Sequence, residues 1–159
     1  MGDFVGTVVR DVRQSRRTGD LVVLVVDDDP QVLNAVRRCF RNESFEVITA
    51  GSCDEAFGWM SEVSVNLIIT DQVMPGMTGT ELIQAVRKRF PEMPCAILTG
   101  YRTASITREA TKAQDVAVLY KPWSDQGLRE ATLRLLRRGP EGRAEDAQDS
   151  TEFDMGGEG

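Results

Sequence analysis

Residues 21–30 read Leu-Val-Val-Leu-Val-Val-Asp-Asp-Asp-Pro, six apolar residues that give way at once to three carboxylates and a proline. An uninterrupted apolar run of this length fits a β-strand covered on both faces, as in a parallel sheet, better than a strand with one wet face. The end of the run is equally informative. Asp29 is placed to cap a helix that Pro30 opens, and Val32, Leu33, Val36 and Phe40 then recur at helical spacing. A strand passes directly into a helix.

The same alternation continues along the chain. Phe45 to Ala50 is the second predicted strand, and Ser52 with Glu55 forms a capping box ahead of Ala56, Trp59 and Met60. Asn66 to Thr70 is the third. It leads through Asp71, Met74, Pro75 and Gly76 to a second capping box, Thr78 with Glu81, which starts a helix with Leu82, Ile83 and Val86 facing inward. Cys95 to Thr99 and Val116 to Tyr120 are the fourth and fifth strands; Ile106 and Ala110 mark a weaker helix between them, and Leu128, Leu133, Leu135 and Leu136 suit a closing helix. Five strands alternating with five helices across short connections predict an α/β, doubly wound, five-stranded parallel sheet with helices on both faces.

Composition limits what such a domain can do. The chain has 159 residues, 19 Lys plus Arg, 25 Asp plus Glu, no histidine and three cysteines. Residues 139–159 hold seven acids against Arg143, a balance of −6 that equals the net charge of the whole chain. With five glycines and few apolar residues, this stretch is expected to be a disordered acidic tail. Residues 1–20, with Arg10, Arg13, Arg16 and Arg17 beside Phe4, Val5, Val8 and Val9, are expected to be an N-terminal extension. The domain itself spans 21–138, where charges nearly balance, so neither a nucleic-acid-binding face nor a membrane segment is expected. A cytoplasmic protein follows as the default. Cys39, Cys53 and Cys95 are odd in number and widely spaced, which predicts buried, reduced thiols. The missing histidine excludes Ser-His catalysis and a role as phosphohistidine carrier.

Chemistry in a doubly wound sheet lies beyond the carboxyl ends of the strands. There the first strand ends in Asp27 and Asp28, the third in Asp71, the fourth in Thr99 and the fifth in Lys121. Strands about 4.8 Å apart let these side chains converge on one crevice. Three carboxylates together repel, and a divalent cation in an all-oxygen site, Mg²⁺ by its hardness, offsets that repulsion while Lys121 adds a further positive charge. Such a set fits phosphoryl transfer, with a carboxylate as nucleophile. Asp71, on the middle strand of the group, is the expected nucleophile. Nucleotide-binding alternatives fail, because neither G-x-G-x-x-G nor G-x-x-x-x-G-K-[ST] is present and the first loop is acidic.

These motifs resemble the receiver domains of two-component response regulators, the CheY-like superfamily. The resemblance covers residues 21–138 and rests on VVDDDP, IITDQVMPGMTG, AILTG and VLYKPW, with successive separations of 43, 28 and 22 residues from Asp28 to Asp71, Thr99 and Lys121. It implies a flavodoxin-like strand order 2-1-3-4-5 and a signalling switch rather than an enzyme. Asp71 would be the phosphoacceptor, and Mg²⁺ would be held by Asp27, Asp28, Asp71 and the Val73 carbonyl. Thr99 and Lys121 would bind phosphoryl oxygens, and the Lys121–Pro122 peptide would be cis. The implied donor is a histidine kinase, a phosphotransfer protein or a small acyl phosphate.

Two departures bear on output. Thr78 stands where the family usually has Asp, a neutral exchange at a helix cap. Val118 stands where an aromatic commonly follows the phosphorylation state, with Tyr120 and Tyr101 as substitutes. Val73 and Tyr101 flank the approach of hydrolytic water and offer it no base, so a long-lived phosphoryl group is expected. With only an acidic tail after the core, the message is expected to pass by contact. A downstream protein, or a second copy of the chain, would read the face of the fourth helix, fifth strand and fifth helix, which includes Trp123 and Arg129, Arg134, Arg137 and Arg138. The alternative is a receiver-like interaction module that works without phosphate.

Overall fold

Strand β1, Val22–Val26, is buried along its whole length, as its two-faced apolar composition demands. The computed structural model describes residues 21–100 and 116–142. Around β1 lie β2 (Glu46–Ala50), β3 (Leu67–Thr70), β4 (Cys95–Thr99) and β5 (Ala117–Tyr120), all parallel, in the order β2-β1-β3-β4-β5. Four helices are described: α1 (Pro30–Cys39), α2 (Cys53–Glu62), α3 (Gly79–Arg89) and α4 (Asp125–Gly142). The fold class and strand order expected from the sequence are both found. The helix expected around Ile106 and Ala110, together with Tyr101, the 1–20 extension and the tail from 143 onward, lies outside the described residues.

Alternate residues of β1 feed opposite cores. Val22, Leu24 and Val26 pack with Ala56 and Trp59 of α2 and with Leu82, Ile83 and Val86 of α3. Val23 and Val25 pack with Val36 and Cys39 of α1 and with Leu128, Ala131 and Leu135 of α4. The expected inward faces of all four helices are therefore occupied, with Val32, Leu33, Met60, Leu133 and Leu136 half-buried at their margins. All three cysteines are buried and free.

β4 begins at Cys95 as expected, while the other four strands begin one residue later than expected, with visible causes at two of them. Asn66 does not extend β3; its N–H donates to the Val22 carbonyl and its Oδ1 accepts from the Val22 N–H, each at 2.8 Å, so one residue closes both groups of Val22. Phe45 leaves β2 to pack edge-on against Phe40, with ring centroids 5.1 Å apart. The closing helix runs on through Gly142, past Arg138.

The N-caps fall where the sequence places them, but of the two expected capping boxes only Thr78 with Glu81 closes, because the Glu55 carboxylate accepts from the Gly51 N–H instead of the Ser52 N–H. Asp29 accepts from the Gln31 N–H ahead of Pro30, Ser52 accepts from the Glu55 N–H, and Thr78 and Glu81 form a reciprocal box. One buried group stands out. The Trp59 Nε1 donor has no hydrogen-bond partner among the described residues. Leaving such a donor unpaired costs ~1–3 kcal/mol, which offsets part of what its ring contributes. Leu82→Ala, at a fully buried site, is therefore expected to lower stability by ~2–5 kcal/mol in urea denaturation. Trp59→Phe, which removes the orphan donor with part of the ring, is expected to cost less than about 1 kcal/mol in the same assay.

Candidate functional site

At the carboxyl edge of the sheet, three main-chain hydrogen bonds carry the ladder one residue past its strands. Asp27 N–H donates to the Ala50 carbonyl at 3.1 Å, Asp71 N–H to the Val26 carbonyl at 2.9 Å, and Lys121 N–H to the Thr99 carbonyl at 2.9 Å. Asp27, Asp71 and Lys121 thus each follow a last rung of regular pairing, where the backbone is fixed and the side chain leaves the apolar layers. This is why a polar residue directly after each apolar run ends in a common crevice.

Asp27 is 2% exposed and Asp71 8%, while Asp28 is exposed. One carboxylate oxygen from each of the three lies within 4.8 Å of the others. Lys121 Nζ sits 2.8 Å from Asp27 Oδ2 and 3.5 Å from Asp71 Oδ1, bridging the two buried acids. Asp27 Oδ1 also accepts from the Asp29 N–H at 2.9 Å. Thr99 is 1% exposed at the end of β4. Val73 is 55% exposed on the β3–α3 loop, which Met74 anchors in the core.

Electrostatics follow from this crowding. Burial pushes the Asp71 carboxyl above its ordinary value, and the negative charge of Asp27 adds to the rise; Lys121 and the Gln72 backbone N–H oppose it without cancelling it. Burial alone would lower the Lys121 ammonium, but hydrogen bonding and charge from Asp27, with Asp71, leave it above the usual lysine value. The crevice is therefore short of positive charge even with Lys121 in place. Its donor set, three carboxylates in mutual reach, fits a hard divalent cation.

The family described as the response regulator receiver domain matches residues 23–133. The chain belongs to the response regulator receiver family. Among curated relatives, the receiver is 38% identical over 102 residues to the hydrogenase transcriptional regulatory protein HoxA of Cupriavidus necator, covering 64% of this chain and 21% of that one. It is 30% identical over 119 residues to the response regulator protein PilR of Pseudomonas aeruginosa, covering 74% and 27%. The chain spans about a quarter of the length of the curated relatives it matches. Among solved structures, it is similar to a receiver domain protein from Clostridium thermocellum, with TM-score 0.68 and 29% identity over 74% of this chain and 95% of that one. It is likewise similar to the chemotaxis response regulator CheY4 of Vibrio cholerae, with TM-score 0.66 and 28% identity over 73% and 98%.

Within the receiver fold, the Lys121–Pro122 peptide is cis, as the resemblance implies. Val118 is buried at 3% in β5 and Tyr120, of the same strand parity, is half-buried. Two features of the loop after Asp71 escaped the sequence. A Cβ on Gly79 would lie 2.2 Å from the Asp71 carbonyl oxygen, so only glycine lets α3 begin this close to the acid. Gln72 turns back to accept from both the Thr80 N–H and the Thr80 hydroxyl at 3.0 Å. A polar residue between the acid and the buried Met74 was the available signal.

The raised Asp71 carboxyl has a consequence for stability. A group whose pKa is higher folded than unfolded supports folding fully below its unfolded value, near 3.8, and loses that support as pH rises through the folded value. In chelator-treated buffer, Asp71→Asn is expected to raise the thermal midpoint at pH 7. The gain should shrink as pH falls toward that of unfolded aspartate, which melting curves across a pH series will check.

Proposed function

We propose that this receiver accepts a phosphoryl group on Asp71 from the phosphohistidine of a histidine kinase or phosphotransfer protein, or from a small acyl phosphate. The observation that carries this reading is the meeting of Asp71 with Asp27, Asp28 and Lys121 at one sheet edge, with carboxylate oxygens within 4.8 Å and the ammonium 3.5 Å from Asp71 Oδ1. Asp27, Asp28, Asp71 and the Val73 carbonyl would hold Mg²⁺, which supplies neutralisation of phosphoryl oxygen charge when bound.

The chain's own residues do the remaining work. The Asp71 carboxylate forms the new bond to phosphorus as the donor's P–N or P–O bond breaks. Lys121, held close by Asp27, presents a fixed positive charge toward the oxygens that gather charge in the transition state. Thr99, at the end of β4, supplies a hydroxyl to the product phosphoryl group. The added charge then shifts a surface that includes β5 and α4, where Trp123 is half-buried and Arg129 reaches Glu43 at 3.6 Å. A downstream protein, or a second copy of the receiver, reads that surface.

Incubation with acetyl phosphate and Mg²⁺ is expected to add the mass of one phosphoryl group to the intact chain. Asp71→Asn or excess chelator is expected to abolish the gain. Uptake by the Asp71→Asn variant, or none by the wild type, would refute the assignment and leave a module that binds partners without phosphate.

A further inference from the structure

We propose that Gln72 is a positioning residue for the phosphoacceptor site, clasping the loop that bears Asp71 and Val73 to the first turn of α3. This rests on the assignment of Asp71 as acceptor and concerns what keeps that site in shape.

Gln72 meets α3 through both its backbone carbonyl and its side-chain oxygen. Its backbone N–H opposes the rise of the Asp71 carboxyl. Its carbonyl accepts from the Gly79 N–H at 2.9 Å, and its Oε1 accepts from the Thr80 N–H and the Thr80 Oγ1, each at 3.0 Å. A helix leaves its first amides without intrahelical partners. In α3, Thr78 Oγ1 takes the amide of Glu81, and the amides of Gly79 and Thr80 both end on Gln72.

The usual capping box is thus complete without the Gln72 side chain, so the clasp is an addition to it. Its place in the chain gives it a role. Gln72 lies between the two residues of this loop proposed to hold the metal, directly after Asp71 and directly before Val73. The close approach at Gly79, where a Cβ would meet the Asp71 carbonyl at 2.2 Å and Gln72 Oε1 at 3.1 Å, shows helix and loop pressed together at this point. Partners that fix the orientation of metal ligands tune affinity without touching the ion. Bonded through its carbonyl and its Oε1, Gln72 holds acceptor and loop in one arrangement relative to α3 before any ligand arrives.

The test compares the full chain with Gln72→Leu, Thr80→Val, Thr80→Ser and the Gln72→Leu/Thr80→Val double variant. Calorimetric Mg²⁺ affinity, acetyl phosphate uptake rate and urea midpoint are measured for each. Gln72→Leu is expected to weaken Mg²⁺ binding about tenfold, the lower end of what losing such a partner costs, and to slow uptake. Thr80→Val should weaken binding less, Thr80→Ser should restore it, and the double variant should be no weaker than Gln72→Leu, because the hydroxyl acts through Gln72. Unchanged Mg²⁺ affinity and uptake with a lowered urea midpoint would make Gln72 only a helix cap and overturn the clasp, as would additive effects in the double variant. If Gln72→Leu fails to fold, the Val and Ser variants at Thr80 decide. Wild-type Mg²⁺ binding without uptake would overturn the acceptor assignment alone, leaving the affinities to judge the clasp, and absence of both would overturn both.

Discussion

Mutual repulsion among carboxylates is the constraint around which this domain is organised. Asp27 and Asp71 are buried at one edge of the sheet with Asp28 beside them, and a single ammonium, Lys121, bridges the buried pair. Like charges at this spacing in a poorly solvated crevice are costly unless a cation compensates. The uneven bridge, shorter to Asp27 than to Asp71, leaves Asp71 the less neutralised of the two, in line with its raised carboxyl. A site in this condition favours a further cation.

The rest of the fold serves to keep that repulsion in place. Two apolar layers, one on each face of β1, hold the strands rigidly enough that ladder hydrogen bonds extend to Asp27, Asp71 and Lys121. The loop after Asp71 is anchored below by Met74 and closed by Gly79 and Thr80 against Gln72. Packing energy from dozens of aliphatic contacts thus supports a few groups whose own interactions oppose folding.

Much of this was legible in the residues because the signals are local. An apolar run that stops at Asp-Asp-Asp-Pro names strand, site and helix start within ten positions, and Thr78 with Glu81 announces α3 just as plainly. The inward faces of the helices followed from spacing alone. What could not be read depends on distant parts meeting. The sequence offered Lys121 as a cation for the crevice but not its preference for Asp27, and it offered Gln72 as a loop residue but not the fold-back that brings it to Thr80. Asn66 and Phe45 were placed inside strands because their neighbours are apolar; one instead closes the Val22 groups and the other fills an aromatic contact.

The bracket at Asn66 has a wider meaning for a strand as uniform as β1. Five consecutive aliphatic residues, four of them valine, present nearly the same shape to both layers, so side-chain packing alone discriminates weakly between alignments shifted along the strand axis. An amide side chain that seizes one particular peptide group at the start of the strand acts as an index mark, and five positions later the aspartate arrives where its partners await it.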